Sequence, residues 1–430
     1  MAQTNIISRE RATYLAEEIT YGSLPTGSFP NVATRVFPLG DGLILEGLAE
    51  EMLPVGDERV RRLDAIHPVH GLRIASKVGS LKMLLKTTKT ADQLDAGATL
   101  ASLTPRLVLR HALGSEAAAQ GDTISGSSST PTVINVTDGT RFKKGTFIVV
   151  EVSGEMEFAK ITNISTNALT IAPALSAAPV LGTEIVRNLY NYCPAETHTS
   201  SLSVQQAFVG GGNSAQVTAF GCYGDISFDL PEYGKIPSMA LALTASAFTG
   251  PSAQSIGVAS ASDEMGPAFT FSPSVYLATS VARATRLVCE GATIDYANDW
   301  QMVRDPGATA SNGQLTTVDA VVSTGGRPVA VKASIKLRFD SDYPTGFTQD
   351  TKYQMILVQK VGTGLTASFW IWELPVAQLV AQPKLTVIGD RLHMELMLES
   401  IQDDTVILGS PAETGTDLDF IKAPFRVAFG

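Results

Sequence analysis

The sequence predicts a mainly β protein: two tandem β-sandwich or barrel modules, each with a short helix, and one small inserted β domain. Three observations lead to this prediction. Many short runs alternate apolar and polar residues, Gly-rich turns separate these runs, and similar runs recur in the same order in both halves. With 430 residues, of which 44% are hydrophobic and 17% charged, the chain is long enough to bury a sizeable core.

The clearest strand runs from Val331 to Phe339, where apolar residues at the odd positions alternate with Lys, Ser, Lys and Arg. A period of two residues places all the apolar side chains on one face of a strand. The same alternation predicts strands over 226–230 and 392–398. The glycines of 210–212 supply the positive φ angles that a hairpin between two further strands requires.

Two segments carry helix signals. In SLTPRLVLRHALG, Thr104 can cap a helix, Pro105 fits its first turn and Gly114 can end it. The second candidate is QDTKYQMILVQKVG, residues 349–362, which has capping residues at its start and Gly362 at its end. The sequence therefore predicts one short helix in each half.

A duplicated module is predicted because LILEG at 43–47 is echoed by LVCEG at 287–291. Each is followed by a polar stretch, an alternating strand, a helix candidate and a region of paired strands. The alternative is the coarse similarity that any two all-β segments share. The predicted boundaries are 1–127 and 190–252 for the first module, 128–189 for the inserted domain, 253–270 for a connecting segment and 271–430 for the second module.

The inserted domain is predicted because a Gly/Ser/Thr linker and a series of short strands follow the first helix, without a counterpart in the second half. Turn dipeptides such as Asp138-Gly139 and Ser153-Gly154 separate these strands. Insertions are tolerated at exposed loops because they leave the parent core intact. We therefore expect this segment to project as a separate small domain.

Charge and cysteine usage exclude several classes of protein. The 32 basic and 42 acidic residues give a net charge of −10, which disfavours a nucleic-acid reader. Cys193, Cys222 and Cys289 form no CxxC pair, so a disulfide framework or a thiolate zinc site is not predicted and a reducing compartment fits best. The sequence shows no secretory signal and no apolar stretch of about 18 residues, so we expect a soluble protein.

Catalytic and metal-binding motifs are missing from the sequence. His67 and His70 are two of only five histidines, and Pro68 between them favours a loop over a metal site. There is no HExxH, GxSxG, phosphate-loop or DxDxDG motif. We therefore expect no enzyme, no catalytic residue, no cofactor and no metal.

Whole segments, rather than a catalytic signature, carry a family resemblance. Between about residues 11 and 248 they occur in the order RATYLAEEITYGSLPTG, DGLILEGLAEEMLPVG, GLRIASKVGSLKMLLKT, RLVLRHALGSEAAAQGDT, ITNISTNALTIAPALSAAPVLGTEIV and SLSVQQAFVGGGNSAQVTAFGCYGDISFDLPEYGKIPSMALALTASAF. In these segments the chain resembles the tail tube proteins, also called major tail proteins, of long-tailed bacteriophages. The second half joins the resemblance through the duplication.

The resemblance implies a structural virion protein that forms stacked rings around a channel for genome DNA, which passes without specific binding. The implied partners are further copies of the chain, in a trimer that imitates six-fold symmetry rather than a hexamer, and other tail proteins such as the tape measure, terminator and baseplate or tip proteins. The protein would assemble from the host cytoplasm into the virion tail. An acidic balance would suit a channel that repels phosphates.

Four carboxylates are the candidate lumen-lining residues, because each lies on or beside an alternating strand whose other face is apolar. They are Asp225, Asp229, Glu395 and Glu399, which we place at corresponding positions of the two halves. An outer, solvated face is the alternative location.

Two other functions are considered. A carbohydrate-binding or adhesin-like β protein would use exposed aromatic platforms, and the only dense aromatic cluster is Phe369, Trp370 and Trp372. A tail-associated hydrolase would need convergent carboxylates or a catalytic triad, and the sequence shows no motif for either.

Overall fold

The computed structural model describes residues 10–18, 34–36, 77–85, 104–118, 120–125, 129–182, 185–195, 201–210, 213–231, 235, 237–245, 247–253, 261–262, 274–278, 284–297, 300–303, 320–323, 331–338, 349–388, 391–401, 420 and 423–430. This part of the chain is mainly β, as predicted, and forms an 18-stranded, a 6-stranded and a 2-stranded sheet. No helix within these ranges is long and apolar enough to cross a membrane.

The chain begins with β1 (Glu10–Glu18), β2 (Thr34–Val36), β3 (Lys77–Leu84), α1 (Thr104–Leu113) and β4 (Gly114–Ala117). The inserted segment contributes β5 (Gly121–Thr123), β6 (Val133–Asn135), β7 (Phe147–Val152), β8 (Glu155–Ser165), β9 (Ala168–Ala172) and β10 (Ile185–Asn188). Next come β11 (Tyr190–Pro194), β12 (Ser201–Gly210), β13 (Asn213–Leu230), β14 (Ser238–Thr244), β15 (Ala247–Ala253) and β16 (Ala261–Ser262).

The second half contains β17 (Ser274–Ala278), β18 (Ala284–Tyr296), β19 (Trp300–Val303), β20 (Ala320–Ser323), β21 (Val331–Arg338) and β22 (Tyr353–Val361). It continues with β23 (Ser368–Leu379), β24 (Lys384–Ile388), β25 (Arg391–Ser400) and β26 (Arg426–Phe429). Short 3-10 turns lie at Gly139–Arg141 and Gly364–Thr366.

In the first half, two groups of strands share the long strand β13. β1 pairs with β2 and β12, and the first part of β13 pairs with β12 and β15. The second part of β13 pairs with β14, which pairs with β3. The register with β12 shifts between Ala219 and Cys222, and such a bulge bends a strand, which allows β13 to pass from one group to the other.

The second half repeats this order of pairing. β17 pairs with β18 and β22, the first part of β23 pairs with β22 and β26, and its end pairs with β25, which pairs with β21. A register shift recurs in β23, between Leu374 and Ala377.

Sequence identities occur at the matching strands. Tyr14 of β1 lies opposite Arg35 of β2, and Tyr276 of β17 lies opposite Arg286 of β18. The pairing thus aligns residues 34–36 of the first half with residues 285–287 of the second half. The LILEG segment, residues 43–47, lies outside the described residues.

The two halves meet in one sheet. Ile226–Leu230 of β13 pair antiparallel with Ala292–Tyr296 of β18, so the sheet continues from the first half into the second. Buried apolar residues from both halves form one large hydrophobic cluster beneath this sheet.

One predicted helix is confirmed and the other is wrong. The first forms α1 over Thr104–Leu113, and Gly114 follows it with φ +94°. Residues 353–361 of the second candidate form strand β22, in which Tyr353 and Leu357 face the main core while Ile356 and Val358 face the inserted segment. Because both faces of this strand are buried, its apolar residues do not alternate, and the sequence shows no strand period.

The inserted segment forms the predicted small β domain, with the sheet order β5-β10-β7-β8-β9-β6 and a hydrophobic core of its own. Because β5 pairs with β10, this sheet begins before the predicted start at residue 128. In the turn between β7 and β8, Ser153 and Gly154 both have positive φ, as the dipeptide predicts.

The sequence predicts that this segment projects as a separate small domain, but one of its faces packs against the second half of the chain. Phe147, Met156 and Leu189 pack in one cluster with Ile356 and Phe369 of the second half. Strand β7 therefore contributes to two cores, its alternate residues facing the domain interior and the second half. This face of the domain is therefore covered by the second half of the chain.

Candidate functional site

Seven strands lie side by side across both halves, in the order β3, β14, β13, β18, β21, β25 and β24. One face of this sheet is apolar and buried, with residues such as Leu81, Leu241, Phe228, Ile294, Ile335 and Leu396 in the main core. We call the opposite face, which includes Lys82, Asp229, Thr293, Ser334 and Glu395, the polar sheet face.

All four predicted carboxylates lie on the polar sheet face. Asp225 and Asp229 are exposed on β13, and Glu395 and Glu399 are partly exposed on β25. The alternation places them there, because Ile226, Phe228, Leu396 and other neighbours point into the core.

The expectation that these carboxylates occupy corresponding positions of the two halves is wrong. In the repeated pairing, β25 corresponds to β14. Strand β14 lies between β3 and the bulged strand β13, and β25 lies between β21 and the bulged strand β23. The register places Ala240 and Thr244 of β14 where β25 has Glu395 and Glu399. The carboxylates come together because β18 and β21 connect the halves, which strand periodicity alone cannot show.

The carboxylates lie beside basic or hydroxyl groups. The Asp229 carboxylate lies 3.9 Å from Lys82 Nζ, and Ser334 Oγ donates a hydrogen bond of 3.0 Å to Glu395 Oε1. Glu395 also lies in register between Lys336 of β21 and Lys384 of β24. Exposed pairs of this kind contribute little stability, so the arrangement governs surface charge rather than folding.

Lysines of β21 separate acids of the neighbouring strands. Lys332 lies in register between Asp295 of β18 and Glu399 of β25, so the signs alternate across three adjacent strands. Opposite charges directly across a sheet are favourable. Sequence reasoning identified the polar side of 331–339 but did not include its lysines in the candidate site, because their neighbours depend on long-range pairing.

The two signs of charge are nearly balanced on the polar sheet face. Its strands carry Lys82, Lys332, Lys336, Arg338, Lys384 and Arg391 against Asp225, Asp229, Glu290, Asp295, Glu395 and Glu399. The described part of this face therefore lacks the strong acidic excess that the sequence analysis expects of a channel lining.

Open recesses lie between the described strands of this face. One of about 450 Å³ is lined by groups such as Asp229, Lys336 and Glu395, and one of about 210 Å³ lies between Asp225 and Asp295. In the described ranges no three His, Cys, Asp or Glu side chains are grouped so that they could hold a metal ion. The larger recess is lined by charges of both signs, which suits a solvated surface better than a site for one charged ligand.

The aromatic cluster does not form a binding platform. Phe369, Trp370 and Trp372 are all buried within β23, and Trp370 stacks on Trp372 with ring centroids 5.7 Å apart. Their place in the core removes the sequence feature that favoured an adhesin-like protein.

Comparison with known proteins identifies no relative: no family model and no curated protein matches this chain.

Proposed function

We propose that this chain is a structural subunit of a bacteriophage tail tube, which polymerises into stacked rings around a channel for DNA. The observation that carries the proposal is the sheet that runs through both halves, with one buried apolar face and one polar, charge-balanced face. One face of such a sheet can line a water-filled channel, and its other face can pack against a shell of protein.

The repeated pairing of strands supports a tandem arrangement of two tube modules within the chain. Each half has the same order of strand partners and the same register shift in its long strand. On this proposal, three chains supply six modules, and every second junction between modules is the covalently linked one between β13 and β18.

The size of the sheet agrees with three chains per ring. Seven strands per chain give about 21 strands in a closed trimer, and strands about 4.8 Å apart with a tilt of about 40° then give a barrel about 40 Å across. Side chains of about 5 Å on each side leave about 30 Å, which admits a DNA double helix. Six chains would give about 80 Å, far wider than DNA requires.

Charge balance on the polar sheet face suits passage of DNA without specific binding. DNA-binding proteins gain affinity when lysines and arginines neutralise phosphates and release counterions. Here Lys332 and Lys336 already lie in register with carboxylates of neighbouring strands. A phosphate would have to compete with those carboxylates, so contact with the channel wall would be weak.

Electron microscopy of the full chain, concentrated and negatively stained, tests the proposal. We expect rings or stacked tubes with a central channel. Protein that stays monomeric at every concentration would contradict the proposal, and binding to immobilised polysaccharides by such a monomer would favour the adhesin-like alternative.

A further inference from the structure

Strand β24 forms the end of the seven-stranded sheet and exposes apolar side chains. It pairs with β25 on one side, and no strand borders its other side within the described ranges. Leu385 is 56% exposed and Val387 is 69% exposed. Both alternate with more polar residues, so they lie on the apolar face of the sheet, which is buried elsewhere. An exposed apolar strand edge favours pairing with another chain.

The matching edge in the first half is covered. Leu385 lies opposite Met394 of β25, just as Phe228 of β13 lies opposite Met239 of β14. By the same register Val387 matches Leu230. Phe228 and Leu230 are only 1% exposed each, and the strand beside them is β18.

The register between β13 and β18 shows which residues cover Phe228 and Leu230. Phe228 pairs with Ile294 and Leu230 pairs with Ala292, so the second half of the chain covers the first half at this junction. Strand β24 is the matching edge of the second half, and the described residues contain no third module that could cover it.

From this comparison we infer that the outer edge of β24 is a docking site for a second copy of this chain, which adds a strand there as β18 adds to β13. The inference rests on the proposed function and names the surface used for assembly. The occupant is another copy because the chain already contains one junction of this kind, and its repetition joins copies head to tail. The other end of the described sheet, β3, likewise has a strand neighbour on one side, β14.

The contact would bury the apolar side chains without burying a charge. Lys384 and Thr386 alternate with Leu385 and Val387, and Lys384 lies in register with Glu395 on the polar sheet face. A docked strand therefore extends both faces of the sheet, with apolar groups continuing the core and polar groups continuing the polar sheet face.

The test compares assembly of the full chain with that of a double variant, Leu385→Lys with Val387→Lys. The matched control is Leu181→Lys with Leu365→Lys, which places lysines at two other exposed leucines. Light scattering measures mass across protein concentration, and circular dichroism measures the melting temperature. We expect the β24 variant to need at least about a hundredfold higher concentration to assemble, while the control assembles like the wild type.

A milder variant, Leu385→Thr with Val387→Thr, keeps strand propensity and provides a test in case the lysine variant misfolds. We expect it to raise the concentration needed for assembly by about tenfold. Rings from both variants at wild-type concentration would overturn the docking site and leave the tube proposal standing. Assemblies that depend on β24 but enclose no channel would support the docking site and contradict the tube. Wild-type protein that never assembles would contradict both.

Discussion

Lys160 Nζ lies 2.7 Å from Glu373 Oε1, and both side chains are almost completely buried. Lys160 belongs to β8 of the inserted domain and Glu373 to β23 of the second half. Arg426 of β26 donates to the other oxygen of the same carboxylate, and Gln354 also donates to Glu373. A single buried carboxylate therefore connects the inserted domain with three segments of the second half.

We expect Lys160→Met to lower the free energy of unfolding by about 3 kcal/mol, because it removes one partner of a buried ion pair. Chemical denaturation of wild type and variant measures the difference. The control is Lys360→Met, which removes an exposed pair with Glu155 between the same two regions and is expected to change stability by less than about 1 kcal/mol. Equal effects of the two substitutions would contradict the role assigned to burial.

The stability of the protein should depend on the charge of Glu373 in acid. Burial raises the pKa of this carboxyl, but the nearby charges of Arg426 and Lys160 lower it more, so it lies below the ordinary value of 4.5. The ionised group therefore stabilises the fold above about pH 4.5, and this contribution is lost as the pH falls through the lowered pKa.

The Glu373→Gln variant has no ionisable carboxyl at this position. We expect its melting temperature to be lower than that of the wild type at neutral pH, and the gap to narrow in acid, as measured by calorimetry over a pH series. A gap that is constant across pH would show that Glu373 does not titrate as proposed.

If the chain forms rings as proposed, the mass of an isolated ring gives the number of chains in it. We expect a mass near three times 45.4 kDa in native mass spectrometry, because seven strands from each of three chains make a barrel of suitable width. A ring of six chains would contradict both the calculated barrel width and the proposed tandem of two modules per chain.

Charge on the polar sheet face should control the affinity of assembled tubes for DNA. Replacing Asp225, Asp229, Glu395 and Glu399 together by lysine leaves Glu290 and Asp295 as the acids on the described strands of this face. We expect the tubes to bind duplex DNA strongly at low salt and to release it as salt rises, measured by sedimentation. In infection assays, particles with this variant should deliver DNA poorly.

The matched control replaces the same four carboxylates by Asn and Gln, which keeps their shape and removes their charge. It should bind DNA more weakly than the lysine variant and more strongly than the wild type. If the lysine variant neither binds DNA nor slows delivery, these residues do not line the channel.

The elements with local signals were predictable from sequence. Pro105 and Gly114 mark the ends of α1, and the alternation of 331–338 identifies both faces of β21. Strand β22 was missed because Ile356 and Val358 are covered by the inserted domain, which makes the strand apolar on both faces. The burial of Lys160 was equally hidden, since it depends on a carboxylate that lies far along the chain.

The polar sheet face was predictable only in part. Periodicity identified the outward residues of β13 and β25 separately, but not the strands between them. The pairing of β13 with β18 joins segments far apart in sequence, and no local pattern specifies such a contact.

The position of β26 has a consequence for the order in which the chain folds. Val427–Phe429 pair with Tyr190–Tyr192 of β11 and also with β23, so this strand joins segments of both halves. During synthesis β11 leaves the ribosome long before β26, and until then Tyr190 and Tyr192 lack their neighbour Phe429. The first half cannot complete its core as an independent unit. Part of the core shared by the two halves therefore stays open until translation has reached β26.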